Sequence, residues 1–176
     1  MAIKVGETEK ITVRIYDYRN NPKLEIDDSV DYFFNPQHRD GNPNKSQWTI
    51  LCSEEIDCFT SSWKKFWNAI VDGIDGGDIP DNAYGILLQN GKVTPIGTRS
   101  REKSQKQGSH ELYIAHFEGN RGTNNQPVIW HGYPADYLVN SHDIPSDCYL
   151  KEWKEKKILT NSQMNKIRRG LDIKWN

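Results

Sequence analysis

The sequence predicts an α+β fold: a single domain with a mostly antiparallel sheet, one long amphipathic helix packed on it and two short C-terminal helices. Three observations carry this. Several segments alternate apolar and polar residues, one segment repeats its apolar residues at helical spacing, and the last thirty residues hold helix-start signals with no strand pattern. Residues 1–176 read as one domain, with a sheet-rich core over 1–144 that includes a helix at 61–74, and a helical segment over 145–170. A chain of 176 residues is long enough to bury a core of its own.

Taken in order, Ile11, Val13 and Ile15 alternate with Thr12, Arg14 and Tyr16, which predicts a half-buried strand over 10–18. Residues 19–47 are rich in Asn, Pro, Asp and Gly around Tyr32-Phe33-Phe34, and read as two short extended pieces joined by loops. HRDGNPNKS at 38–46 is a turn, because Asp-Gly and Asn-Pro disfavour regular structure. WTILC at 48–52 reads as a strand. Trp63, Phe66, Trp67, Ile70, Val71 and Ile74 then fall at i, i+3, i+4, i+7, i+8 and i+11, with Thr60, Ser61 or Ser62 as N-cap and Gly76-Gly77 as the stop.

Asn90-Gly91 between Ile86–Leu88 and Val93–Ile96 predicts a hairpin with a type I′ turn. TRSREKSQKQGS at 98–109 lacks periodicity and reads as a mobile loop. HELYIAHFEG at 110–119 and PVIWHGY at 127–133 read as strands joined by an Asn/Gly-rich turn, with Gly132 permitting a bend and Pro134 fixing the chain beyond it. Pro145 and Ser146 open a helix that buries Leu150 and Trp153. Thr160 and Gln163 form a capping box for a second helix, carrying Met164 and Ile167 and ending near Gly170.

Composition narrows the function classes. Aromatic residues make up 11% of the chain, with six Trp, which argues against disorder. No apolar h-region and no stretch of about eighteen apolar residues occurs, so neither a secretory signal nor a membrane partner is expected. Cys52, Cys58 and Cys148 match no zinc spacing and read as free thiols in a reducing cytoplasm. Net charge is −1, but 9 Lys/Arg face 15 Asp/Glu in residues 1–90, and 14 face 9 in residues 91–176. That asymmetry fits an anionic partner for the second half, or an acidic half packed against a basic one.

The histidines are the candidate chemistry. Strand alternation puts His110, Leu112, Ile114 and His116 on one face, and His131 lies on the expected neighbouring strand. If His116 and His131 meet across that pair, one imidazole can take a 2′-hydroxyl proton while the other protonates the leaving oxygen. Arg121 or Lys106 would then balance the charged phosphorane. A metal site from His110, His116 or His131 with Glu111, Glu118 or Asp136 lacks any HxH or HExxH spacing, so no metal and no cofactor is expected. His38 and His142 receive no role. Asp72, Asp75 and Asp78 recur every third residue, which rejects an EF-hand.

Arg99, Arg101, Lys103 and Lys106 form a cationic stretch suited to a phosphate backbone, and Lys166, Arg168 and Arg169 add charge on the last helix. Tyr133, with Tyr113 and Trp130, could stack unpaired bases beside them. The C-terminal helix pair matches helix-turn-helix only in its lengths. Three functions follow: a small binding protein whose basic half contacts RNA, DNA or an acidic protein surface; a metal-independent, toxin-like ribonuclease using His116 and His131; and an inhibitor or immunity-type protein acting through its acidic half.

Overall fold

The computed structural model describes residues 19–20, 22–27, 30–71, 81–107, 110–120 and 128–175. The strand expected over 10–18, Arg121, and most of the acidic run 72–81 lie outside these residues. The main sheet has six strands in the order β1 (Lys23–Asp27), β2 (Val30–Phe33), β9 (Val128–Ala135), β8 (Ile114–Asn120), β4 (Asn82–Gln89) and β5 (Lys92–Thr94). Its β2–β9 pair is parallel and its other neighbours are antiparallel. A small second sheet joins β3 (Gln47–Trp48), β6 (Gly97–Thr98) and β7 (Glu111–Leu112). Four helices complete the described fold: α1 (Cys52–Val71), α2 (Arg101–Gln107), α3 (Asp147–Glu155) and α4 (Asn161–Arg168).

Several elements follow their sequence signals. Asn90 and Gly91 both take positive φ, 52° and 75°, the conformation a two-residue turn between right-twisted strands demands. Helix α3 buries Tyr149, Leu150 and Trp153. Helix α4 carries the reciprocal Thr160–Gln163 capping box, buries Met164 and Ile167, and is followed by Gly170 at φ +65°.

Others depart from expectation, each for a physical reason. Helix α1 starts at Cys52, well before the expected 61, because Glu54 and Glu55 favour a first turn and Glu54 Oε2 accepts the Leu51 amide at 2.8 Å. Thr60 is therefore inside the helix, returning its hydroxyl to Ile56 O at 3.0 Å, and the strand expected over 48–52 shrinks to Gln47–Trp48. The mobile loop expected at 98–109 contains helix α2. The strand expected over 110–119 is split at Tyr113 between the two sheets.

Gly132 does not bend the chain. Strand β9 runs straight through it, pairing Phe117 with Gly132 and Gly119 with Trp130. Each glycine thus lies opposite a large ring, and a Cβ on Gly132 would meet Phe117 Cδ1 at 2.4 Å and the Tyr32 hydroxyl at 2.6 Å. Trp130, Phe117, Tyr32 and Phe59 of α1 fill this face of the sheet as one cluster, with Phe59 centroids 4.9, 5.3 and 5.6 Å from Tyr32, Phe117 and Trp130. Beneath it, buried Glu55 accepts the Tyr32 hydroxyl at 2.6 Å and the Arg39 Nε at 3.2 Å; burial still pushes the Glu55 carboxyl up.

Gly132→Ala forces a methyl into the Phe117 ring, so it should destabilise the fold by about 1–3 kcal/mol in urea unfolding. An unchanged midpoint would show that the ring–glycine register does not hold the strand pair.

Candidate functional site

The same register builds the opposite face of β8 and β9. His116 pairs with Tyr133 and Glu118 with His131, so four polar side chains share one surface, with His116 and His131 as diagonal neighbours. That surface forms the floor of a polar cleft of about 340 Å³. Its other wall comes from the 35–46 loop, which contributes His38 and Lys45, while Ser100 and Lys103 close it from α2 and the residue before it.

Tyr133 organises the cleft. Its ring lies between two imidazoles, stacked on His38 at 5.3 Å and tilted against His116 at 5.0 Å, and His116 in turn stacks on Tyr84 at 4.6 Å. The Tyr133 hydroxyl is 2.7 Å from His116 Nδ1, 3.1 Å from Asp143 Oδ1 and 3.2 Å from Glu118 Oε1. Burial and those two carboxylates hold the phenol far above its ordinary pKa, so it stays protonated. Asp143 sits in the short 3₁₀ turn Ser141–Asp143 and accepts the Asp136 amide at 2.8 Å through its other oxygen. Asp136 binds Arg99 in bidentate fashion, with Nε at 2.7 Å and Nη2 at 3.0 Å.

His38 has a defined tautomer. Its Nδ1 lies 2.8 Å from the Ser46 carbonyl, which can only accept, so Nδ1 carries the hydrogen and Nε2 keeps its lone pair. Burial lowers its pKa, and the nearby Lys45 and His131 charges lower it further against the opposing Ser46 bond. His131 is also lowered, by burial first, although Glu118, with Oε2 3.5 Å from Nε2, favours its charged form.

The sequence-predicted residues are dispersed by this architecture. His131, Tyr133 and Lys103 line the cleft. His116 lies beneath it, only 2% exposed, giving Nε2 to Asn82 Oδ1 at 2.8 Å and meeting Tyr133 through Nδ1. No substrate reaches it, which corrects the expectation of two open imidazoles. Arg99 is 4% exposed, and its charge is matched by Asp136, so it is a buried cation and not part of a solvated basic stretch. Arg101 is exposed on α2, the helix that also carries Lys106. Lys166 of α4 and Arg169 just beyond its end are exposed, whereas Arg168 donates to Asp147 Oδ1 at 2.8 Å; none of the three lines the cleft. His110 lines a separate cavity of about 550 Å³ with Tyr113, Tyr137 and Trp175.

His38, Lys45 and Asp143 enter the site without a sequence signal of their own, and Glu118, weighed only as a metal ligand, enters it as a neighbour of His131 and Tyr133. The nearest cue was Asn35-Pro36, whose Asx-capped 3₁₀ turn presents His38. Among the described residues no group of three or more His, Cys, Asp or Glu could hold a metal ion, and no helix is long and apolar enough to cross a membrane. Comparison of the chain with protein-family models, curated proteins and solved structures finds no match in any of the three. The site must therefore be read from its own chemistry.

Two outcomes test this geometry. Arg99→Ala strands the buried Asp136 carboxylate and should cost about 3–5 kcal/mol in chemical unfolding, whereas Lys103→Ala on the rim should stay within about 0.5 kcal/mol. Because His38 and His131 are lowered in the folded state, the unfolded chain binds more protons between the folded and ordinary values. Stability should therefore fall as pH drops through and below about 6.5, and His38→Gln should flatten that slope in thermal melts.

Proposed function

We propose that the cleft binds RNA and cleaves its phosphodiester bonds by general acid–base catalysis. The observation that carries this is the convergence of His38 from a wall and His131 from the floor on one polar cleft, with Lys45 and Lys103 lining the same space. His38 Nε2, a lone-pair nitrogen by virtue of the Ser46 bond, takes the 2′-hydroxyl proton as the 2′-oxygen attacks phosphorus. His131, whose charged form Glu118 favours, protonates the departing 5′-oxygen. The two ammonium groups offset the charge that builds on the phosphorane. The products are a 2′,3′-cyclic phosphate and a 5′-hydroxyl, so DNA binds without being cut. Reduced thiols at Cys52, Cys58 and Cys148 suit a reducing, cytoplasmic setting for this activity.

Compared with the expectation of a His116–His131 pair, His38 replaces His116 as the proton acceptor, and His116 holds the Tyr133 hydroxyl from below. A second reading, binding without cleavage, draws on Arg101 and Lys103 on α2, and on Lys166 of α4 and Arg169 just beyond its end, all exposed to solvent. It predicts nucleic-acid affinity that falls steeply with salt, with the log–log slope reduced by about 1 on Lys103→Ala.

His38→Ala and His131→Ala should each lower the rate of RNA cleavage by about 10²–10⁴-fold, with RNA binding retained and the rate–pH profile changing from a bell to a single limb. Undiminished cleavage by both variants, or equal cutting of an all-deoxy strand, would overturn the catalytic reading.

A further inference from the structure

We infer that the cleft holds a phosphate seat built from neutral amide donors, with Asn35 and Asn140 as its recognition residues. The inference deepens the ribonuclease reading and takes its substrate class from it. Its basis is the orientation of the two carboxamides. Asn35 Oδ1 accepts the Gln37 amide at 3.1 Å, and Asn140 Oδ1 accepts the His142 amide at 3.2 Å. A backbone N–H can bond only the oxygen of a carboxamide, so the orientation of both side chains is set by chemistry. Each asparagine spends its acceptor on its own turn and turns its NH₂ group, two N–H donors, to other use.

Both residues line the cleft, together with Ser100, Lys45 and Lys103. Ser100 Oγ likewise accepts the Lys103 amide at 3.4 Å, which leaves the hydroxyl proton to donate. The remaining capacity of these five residues is therefore donors and positive charge. Its complement is a compact anion with several acceptor oxygens, and a phosphate ester fits that description.

Carboxylates also line the cleft, and each has to be accounted for. Asp136 is neutralised by Arg99. Asp143 takes the Asp136 amide on one oxygen, and its other oxygen lies 3.1 Å from the Tyr133 hydroxyl. Glu118 stands on the floor beside His131. The anion is thus directed to the amide, hydroxyl and ammonium donors of the same cleft that His38 and His131 line.

The test exploits the turns themselves. Asn35→Asp and Asn140→Asp keep the capping oxygen, so the turns persist, while each replaces an NH₂ donor by an anionic oxygen. Calorimetry with inorganic phosphate should show saturable binding to the wild-type chain with Kd on the order of 1 mM. The double Asp variant should bind about tenfold more weakly or worse, with an unchanged circular dichroism spectrum and melting temperature. A nucleoside 3′-monophosphate that binds tighter than phosphate assigns the rest of the cavity to the nucleoside, and equal affinity makes free phosphate the ligand; both uphold the seat. No saturable phosphate binding by the wild type, or wild-type affinity in the double variant, overturns it. Phosphate binding without RNA cleavage would sink the catalytic reading and leave the seat standing. RNA cleavage whose inhibition by phosphate is indifferent to both substitutions would do the reverse.

Discussion

The register between β8 and β9 is the constraint on which the rest of the structure depends. On one face it places Phe117 against Gly132 and Trp130 against Gly119, so each ring occupies the volume that a facing side chain would need. On the other face the same pairing sets His116 beside Tyr133 and Glu118 beside His131. A slip of one residue would send the slipped strand's side chains to the opposite side, burying charged groups under α1 and exposing Phe117 or Trp130. The aromatic core and the polar cleft are two sides of a single choice, and the core supplies the free energy that holds it.

The second support is ionic, and it works from both ends of the cleft. Arg39, next to His38 in the chain, is clamped to buried Glu55 of α1 and donates to Ile50 O at 2.8 Å. The wall carrying His38 is thereby tied to the helix that covers the core. At the other end, Arg99 and Asp136 form a bidentate pair just before α2, and Asp143 links Asp136 to His116 and Tyr133. Buried pairs of this kind add little net stability compared with apolar packing, but breaking one is costly because it leaves a bare charge inside the protein. Their effect here is positional: they hold the walls of the cleft at fixed distances from a floor made by the sheet.

Within that frame, proton placement follows from hydrogen-bond inventory. The Ser46 carbonyl determines which nitrogen of His38 is bare, and Asn82 determines which nitrogen of His116 is protonated. Tyr133 brings one proton to a neighbourhood of three acceptor atoms. The cleft therefore presents a bare imidazole nitrogen on one wall, His131 with its Glu118 partner on the floor, and amide, hydroxyl and ammonium groups in its lining.

What was readable along the chain was local. The Asn90-Gly91 turn, the Thr160–Gln163 capping box and the Leu150/Trp153 and Met164/Ile167 stripes rest on neighbours within a few residues, and each formed where its pattern placed it. The start of α1 was misplaced because a hydrophobic stripe marks the buried face of a helix, not its first turn, and the Glu54 and Glu55 cue lies outside the stripe. Alternation correctly separated Trp130 from His131, yet it could not say that Gly132 serves a ring across the ladder. The sequence by itself determined the elements and the residue types that could do acid–base work. Only the tertiary structure decided that Arg99 and His116 are buried and partnered, and that His38, ninety-three residues from His131 in the chain, shares a cleft with it. The reason is physical: burial and long-range pairing are properties of the assembled fold, and no spacing along the chain encodes them.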